Sequence, residues 1–164
     1  MIWRDNILVF GMNTPPKAQN YTAMQMNTTL DDLIESFSLF DGWEDRYRFL
    51  IDLGQRLPPM DEALKTAHNI VPGCTSRVWM VTATATGEDG QPCFRFIADS
   101  DAKIVKGLIY ILMVAYQGQA IKDVASVDIR QAFDDLGLSG HLSPSRRNGF
   151  FAMVDRITGA AALA

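Results

Sequence analysis

The sequence predicts an α+β fold, a small antiparallel β-sheet with helices packed against it. Three observations carry this. Two stretches of helical apolar spacing lie between Thr29 and Leu57. A Val/Thr-rich alternating run, Ser76 to Thr86, is followed by Gly87-Glu88-Asp89-Gly90 and a second β-type run. From Asp101 onward the pattern is helical. The order helix, helix, hairpin, helices belongs to an α+β domain rather than to alternating βα units.

Each element has a local cause. Thr29 is placed to cap the first helix, and Asp31 and Asp32 suit the positive end of its dipole. Leu30, Leu33, Ile34, Phe37 and Phe40 recur on one face. Asp41-Gly42 breaks this helix. A second begins at Trp43, turns Tyr47, Leu50 and Ile51 inward, and ends at Leu57-Pro58-Pro59. Residues 60–73 read as irregular, with one helical turn from Asp61 to Lys65. In the first strand Val78, Met80, Thr82 and Thr84 share one face, and Trp79 and Val81 the other. Cys93 to Ala98 is the partner strand, and no third strand is placed. Ser100 is expected to cap a long helix from Asp101 to Gln117, closed by Gly118. Short helices follow near Ile121–Ala125 and Ile129–Leu136. Ser143-Pro144 opens the last helix, an N-cap followed by proline, which buries Phe150, Phe151, Val154 and Ile157. Residues 1–26, with Pro15-Pro16 and several Asn and Gln, are expected to form a flexible leader to one domain spanning 27–164.

Bulk properties narrow the function. A chain of 164 residues suits one domain with a real core. The formal charge of -4 argues against generic nucleic-acid binding, which leaves a basic footprint. The most apolar stretch, Ile104 to Tyr116, is broken by Lys106 and Gly107 and falls short of the ~18–20 residues of a membrane span. Neither nucleic acid nor membrane is therefore expected as a partner, and the cytoplasm is the expected location. Two cysteines do not make a disulfide scaffold, and a reducing cytoplasm favours free thiols over a Cys74–Cys93 bridge.

Cys74 is the residue with chemical promise. It follows Pro72-Gly73 and precedes a strand, so it sits at the tip of a turn. Arg77 is close in sequence, and a nearby cation favours a thiolate. Cys93, in Gln91-Pro92-Cys93-Phe94, reads as a small buried side chain. Zinc is disfavoured, because Cys74, Cys93, His68 and His141 show no C-x-x-C or H-x-x-x-H spacing. A Cys–His hydrolase using Cys74 with His68 or His141 also needs an orienting group, and Asn69 or Asn148 are the candidates. Helix-cap electrostatics explain Asp99 and Asp101. They do not explain Arg146 and Arg147, cations in a first helical turn, and something is expected to hold at least one of them.

Four blocks coincide with one family. Asn69-Ile70-Val71-Pro72-Gly73-Cys74-Thr75-Ser76-Arg77-Val78-Trp79 resembles the active-cysteine loop of the SufE family of cysteine desulfuration proteins. Ala98 to Leu108, His141 to Gly149, and Arg46 to Leu57 resemble three further blocks, in the family's order. The resemblance implies a fold shared in outline with the IscU-type cluster scaffold, whose metal-binding cysteines are missing here. It implies a sulfur acceptor, a transfer partner rather than a stand-alone enzyme. Cys74 would take sulfane sulfur from a cysteine desulfurase of the SufS or CsdA kind, stimulate it, and pass sulfur to an iron–sulfur scaffold. The pyridoxal phosphate belongs to the desulfurase, and no cofactor is expected in this chain. Gly73, Ser76 and Arg77 around the cysteine, with Asp101 and Arg146 from the further blocks, are the residues expected to shape the site or bind the partner. Asp101 and Arg146 would do so through an ion pair that holds the loop, or by steering the thiolate. Ile70, Val71 and Trp79 are the expected apolar cover for Cys74. A hydrolase, or a docking module in which Cys74 is only structural, are the competing readings.

Overall fold

The computed structural model describes Ile7–Val9 and residues 27–164. The leader expected over residues 1–26 lies outside the described residues, apart from Ile7–Val9, which form a short strand, β1. Helices α1 (Leu30–Ser38) and α2 (Trp43–Gln55) come next. Two 3₁₀ turns, Glu62–Leu64 and Ala67–Asn69, lead to strands β2 (Val78–Thr86) and β3 (Pro92–Ser100). Then follow α3 (Lys103–Tyr116), a 3₁₀ segment (Ile121–Ser126), α4 (Ile129–Asp135) and α5 (Pro144–Ala162). The architecture is α+β, as expected.

The sheet order is β1-β2-β3. β2 and β3 are antiparallel, with Val78 opposite Ser100 and Thr86 opposite Pro92. The Gly87-Gln91 turn joins them, with Gly90 at φ +78°. β1 adds in parallel, Ile7 opposite Thr82. Three residues are too few to show an alternation, which is why the sequence did not place this strand.

One sheet face carries Val78, Met80, Phe94, Phe96 and Ala98 into the main core. The other carries Val81 and Ile97 into a small cluster with Met60, flanked by Leu64 and Trp79. The segment expected to be irregular thus acts as a lid over the second face. α3 is buried almost all round, because the sheet lies on one side and helices lie on the other. α2 and α3 meet backbone to backbone. A Cβ on Gly54 would come within 2.8 Å of the Gly107 nitrogen, and one on Gly107 would collide with the Leu50 carbonyl. Two glycines therefore set this crossing.

The caps follow the sequence except at one place. Thr29 and Asp32 form a reciprocal capping box, at 3.1 and 2.8 Å. Those hydrogen bonds hold the Asp32 carboxyl below its usual range. Ser143 caps α5 and Gly118, at φ +79°, follows α3. Ser100 does not cap α3. The β2–β3 ladder runs on to Ser100, so the helix starts later, from Ala102, which has no side-chain cap.

Candidate functional site

The Cys74 loop is built between two necks. At the base Val71 N–H donates to the Val78 carbonyl at 2.8 Å, and Ile70 bridges Trp79 in antiparallel fashion. The chain from Pro72 to Arg77 is what remains outside. Gly73 turns it at φ +93°, a conformation that side chains oppose. This is the physical reason for glycine before the cysteine. Cys74 is half-buried at the tip.

What covers the thiol is α5. Its residues Ser145, Gly149, Ala152 and Arg156 follow helical spacing and share one face. Ser145 Oγ hydrogen-bonds Thr75 Oγ1. A Cβ on Gly149 would lie 2.6 Å from Cys74 Sγ, so the sulfur rests on bare helix backbone. Ala152 Cβ would stand 3.6 Å from a Cβ on Gly73. Arg156, buried, donates from Nη1 to the Ile70 carbonyl at 3.0 Å. Burial pushes its guanidinium pKa down from the ordinary value. One helix face thus receives the loop from its first neck at Ile70 to Thr75.

The expected cover is corrected accordingly. Val71 is sunk in the main core and Ile70 is exposed. Trp79 belongs to the cluster on the other sheet face, with Lys65 Nζ 5.7 Å from its ring. Alternation along β2 forces this. If Val78 faces the core, Trp79 faces away. Gly149 was the missed signal. A glycine inside a helix costs about 1 kcal/mol against alanine, so its presence needs a close neighbour.

The second neck is held by Ser100 and Asp101. Asp101 Oδ1 accepts from the Arg77 backbone N–H at 3.0 Å. The Arg77 carbonyl accepts from Ser100 Oγ at 2.7 Å and from Asp101 N–H at 3.3 Å. The side-chain pair Arg77 Nε–Asp101 Oδ2 is longer, 3.8 Å, with both partners well exposed, and contributes little. Asp101 therefore grips the loop backbone. The Ser76 side chain is half-buried and makes no hydrogen bond among the described residues. Arg146 lies in the first turn of α5, beside Ser145. Its side chain pairs with no described residue, so no Asp101–Arg146 ion pair forms. Arg147 is the retained cation, with Nη2 2.8 Å from the Ser139 carbonyl.

No histidine serves the thiol. His68 is exposed in a 3₁₀ turn, and His141 stacks on Trp43 with ring centroids 3.5 Å apart. The His141 carbonyl accepts from Tyr47 Oη. Asn69 is spent on the Leu64 carbonyl at 2.7 Å. Among the described residues neither histidine hydrogen-bonds Cys74, and no group of three potential metal ligands assembles. Cys93 is buried in β3, and both cysteines are free thiols.

Behind the second neck lies a charge cluster that the sequence did not suggest. Asp99, largely shielded, takes Lys65 Nζ at 3.0 Å and Lys106 Nζ at 3.3 Å. Burial alone would raise its carboxyl pKa. The Lys65 and Ser100 hydrogen bonds and the two cations outweigh that, and the carboxyl titrates below its ordinary value. Lys65, bonded to Glu62 and to Asp99, is pushed up. Asp99 thereby ties the 60s segment and α3 to the strand that carries Ser100.

The model of one family, SufE, the Fe-S metabolism associated domain, matches residues 31–161. The chain belongs to the SufE family. Two SufE-like proteins are similar to it. One, from Rhizobium meliloti (strain 1021), is 43% identical over 130 residues, covering 79% of this chain and 92% of its own. The other, from Rhizobium etli, is 43% identical over 129 residues, covering 79% and 86%. The solution structure of a hypothetical protein from Thermus thermophilus superposes with a TM-score of 0.64. At 19% identity, covering 82% of this chain and 94% of that one, it shares the fold. The Cys74 loop and its α5 face both lie within the matched residues. It associates the protein with iron–sulfur metabolism. No helix among the described residues is long and apolar enough to cross a membrane.

Proposed function

We propose that Cys74 is a persulfide carrier that takes sulfur from a pyridoxal-phosphate cysteine desulfurase and passes it toward iron–sulfur cluster assembly. The observation that carries this is a half-buried thiol on a glycine-turned loop, with no base, triad or metal cluster around it among the described residues. Thiol exchange needs a thiolate, access and a leaving thiolate, and nothing more. A hydrolase needs the partners that His68 and His141 do not supply.

In the step itself, Cys74 Sγ attacks the outer sulfur of the donor's persulfide. A new S–S bond forms as the donor's S–S bond breaks. The electron pair leaves with the donor cysteine as its thiolate, and the transferred sulfur, with its proton, stays on Cys74. No external oxidant or reductant enters. The contact with α5 shields the loaded sulfur from solvent and reductant, and the two necks let the tip move without disturbing the strands. Free thiols and an exchange reaction suit a reducing compartment, the cytoplasm.

The test is desulfurase turnover with this protein added. Cys74→Ser, folded by circular dichroism, is expected to lose all stimulation, and a His68→Ala/His141→Ala double variant to keep most of it. Full stimulation by Cys74→Ser overturns the proposal.

A further inference from the structure

On another part of the surface, between the β2–β3 turn, the start of α1 and the end of α3, lies a cavity of about 750 Å³. None of its described lining residues belongs to the Cys74 loop or to α5. The volume falls within the usual range for small-molecule sites. Three charged side chains line it, Glu88, Asp89 and Arg95. Asp89 is occupied, since its Oδ1 accepts from Gln91 N–H at 3.0 Å and holds the turn. Glu88 is also engaged. Arg95 is not. Among the described residues its side chain makes no hydrogen bond or ion pair, and its Nε is buried without a partner.

A guanidinium N–H that has lost water and gained no partner costs free energy, and native proteins rarely leave one so. The strand places it there. Arg95 alternates with Phe94 and Phe96, which fill the core, so its side chain leaves that row and lines the cavity. Gly118, at φ +79°, makes room. A Cβ there would press to 3.2 Å from Arg95 Nη1. The guanidinium is a planar fork matched to two oxygens of one group.

We propose that this cavity is a binding site for a small molecule bearing a carboxylate or phosphate group, held by the unpaired Arg95 guanidinium. The oxyanion supplies the missing counter-charge, and the rest of the molecule occupies the cavity along Val127 and Cys93. Glu88 and Asp89 on the rim favour a ligand whose charge is confined to one end over a polyanion.

The test is a titration of the full-length, ¹⁵N-labelled protein followed by NMR, with succinate in one arm and inorganic phosphate in the other. Saturable shifts of the Arg95 Nε–H signal and of the Gly118 and Gln119 amides are expected in at least one arm. The arm that saturates first names the oxyanion. Arg95→Gln is expected to weaken that response at least tenfold, and Val127→Phe, which fills the cavity but keeps the cation, to weaken it as well. No saturable shift in either arm overturns the proposal. So does a response that survives both substitutions, which reports charge screening only. If Arg95→Gln does not fold, the Val127→Phe arm decides by the same criterion.

Discussion

Cys74 and Cys93 carry the same side chain and both follow a proline closely, yet the fold treats them oppositely. Pro92 starts β3, so Cys93 enters the ladder opposite Ala85 and is buried. Pro72 is followed by Gly73 at φ +93°, which ends any extended run and lifts Cys74 out of the ladder. Thiol exposure here is thus set by backbone topology, a two-neck loop against a paired strand. In the proposed carrier role the cysteine needs a place to rest as well as a place to react, and α5 would supply the former.

The largest contrast is in labelling of the native protein. Cys74 should alkylate readily and Cys93, buried in β3, far more slowly, so their rates should differ by about 10²-fold or more, read by peptide mass after iodoacetamide. Equal rates would erase the distinction. Gly149→Val should come next. Two added methyls and a Cβ 2.6 Å from Sγ must expel the loop from α5. Cys74 labelling should then rise by about tenfold or more, for an opening cost of about 1.4 kcal/mol or more, while Cys93 labelling stays slow. Unchanged Cys74 labelling would mean that α5 is not its cover.

How much of this was legible depended on whether the signal was local. The α1 capping box, the hairpin, the Ser143-Pro144 start and Cys74 itself are short-range patterns, and the sequence displayed them. The resting place of Cys74 was not local. Ile70 and Trp79 looked like cover because they are adjacent in sequence, but strand alternation sends Trp79 to the other sheet face. Ser145, Gly149 and Ala152 meet the loop across about seventy residues, and only the mid-helix glycine hinted at it. From sequence Asp99 reads as a helix-cap charge, because the β-type run ends at Ala98. With β3 running to Ser100, Asp99 became a shielded carboxylate between two lysines. Ion pairs between distant elements leave no periodicity to read.

The necks yield the smaller effects. Asp99→Asn leaves Lys65 and Lys106 facing a neutral group and should cost about 1–3 kcal/mol in chemical denaturation at pH 7. The sign with pH follows from the lowered carboxyl. Its folded value lies below the unfolded 3.8, so its contribution is present above that value and is lost as pH falls through the lower one. The variant and the native protein should therefore converge in stability as pH falls through that lowered value. Asp101→Ala removes one grip on Arg77 and should cost about 0.5–1.5 kcal/mol, with Cys74 labelling raised only a few-fold. A larger rise than with Gly149→Val would move the rest position of the thiol from α5 to the neck.

In the proposed role the loop cysteine, and not the strand cysteine, receives sulfur. The direct measurement is intact and peptide mass analysis after incubation with a cysteine desulfurase and free cysteine. One added sulfur atom on the Cys74 peptide, removed by reductant and absent from Cys74→Ser, is the predicted result. An added sulfur on the Cys93 peptide, or none while the desulfurase is nonetheless stimulated, would contradict it.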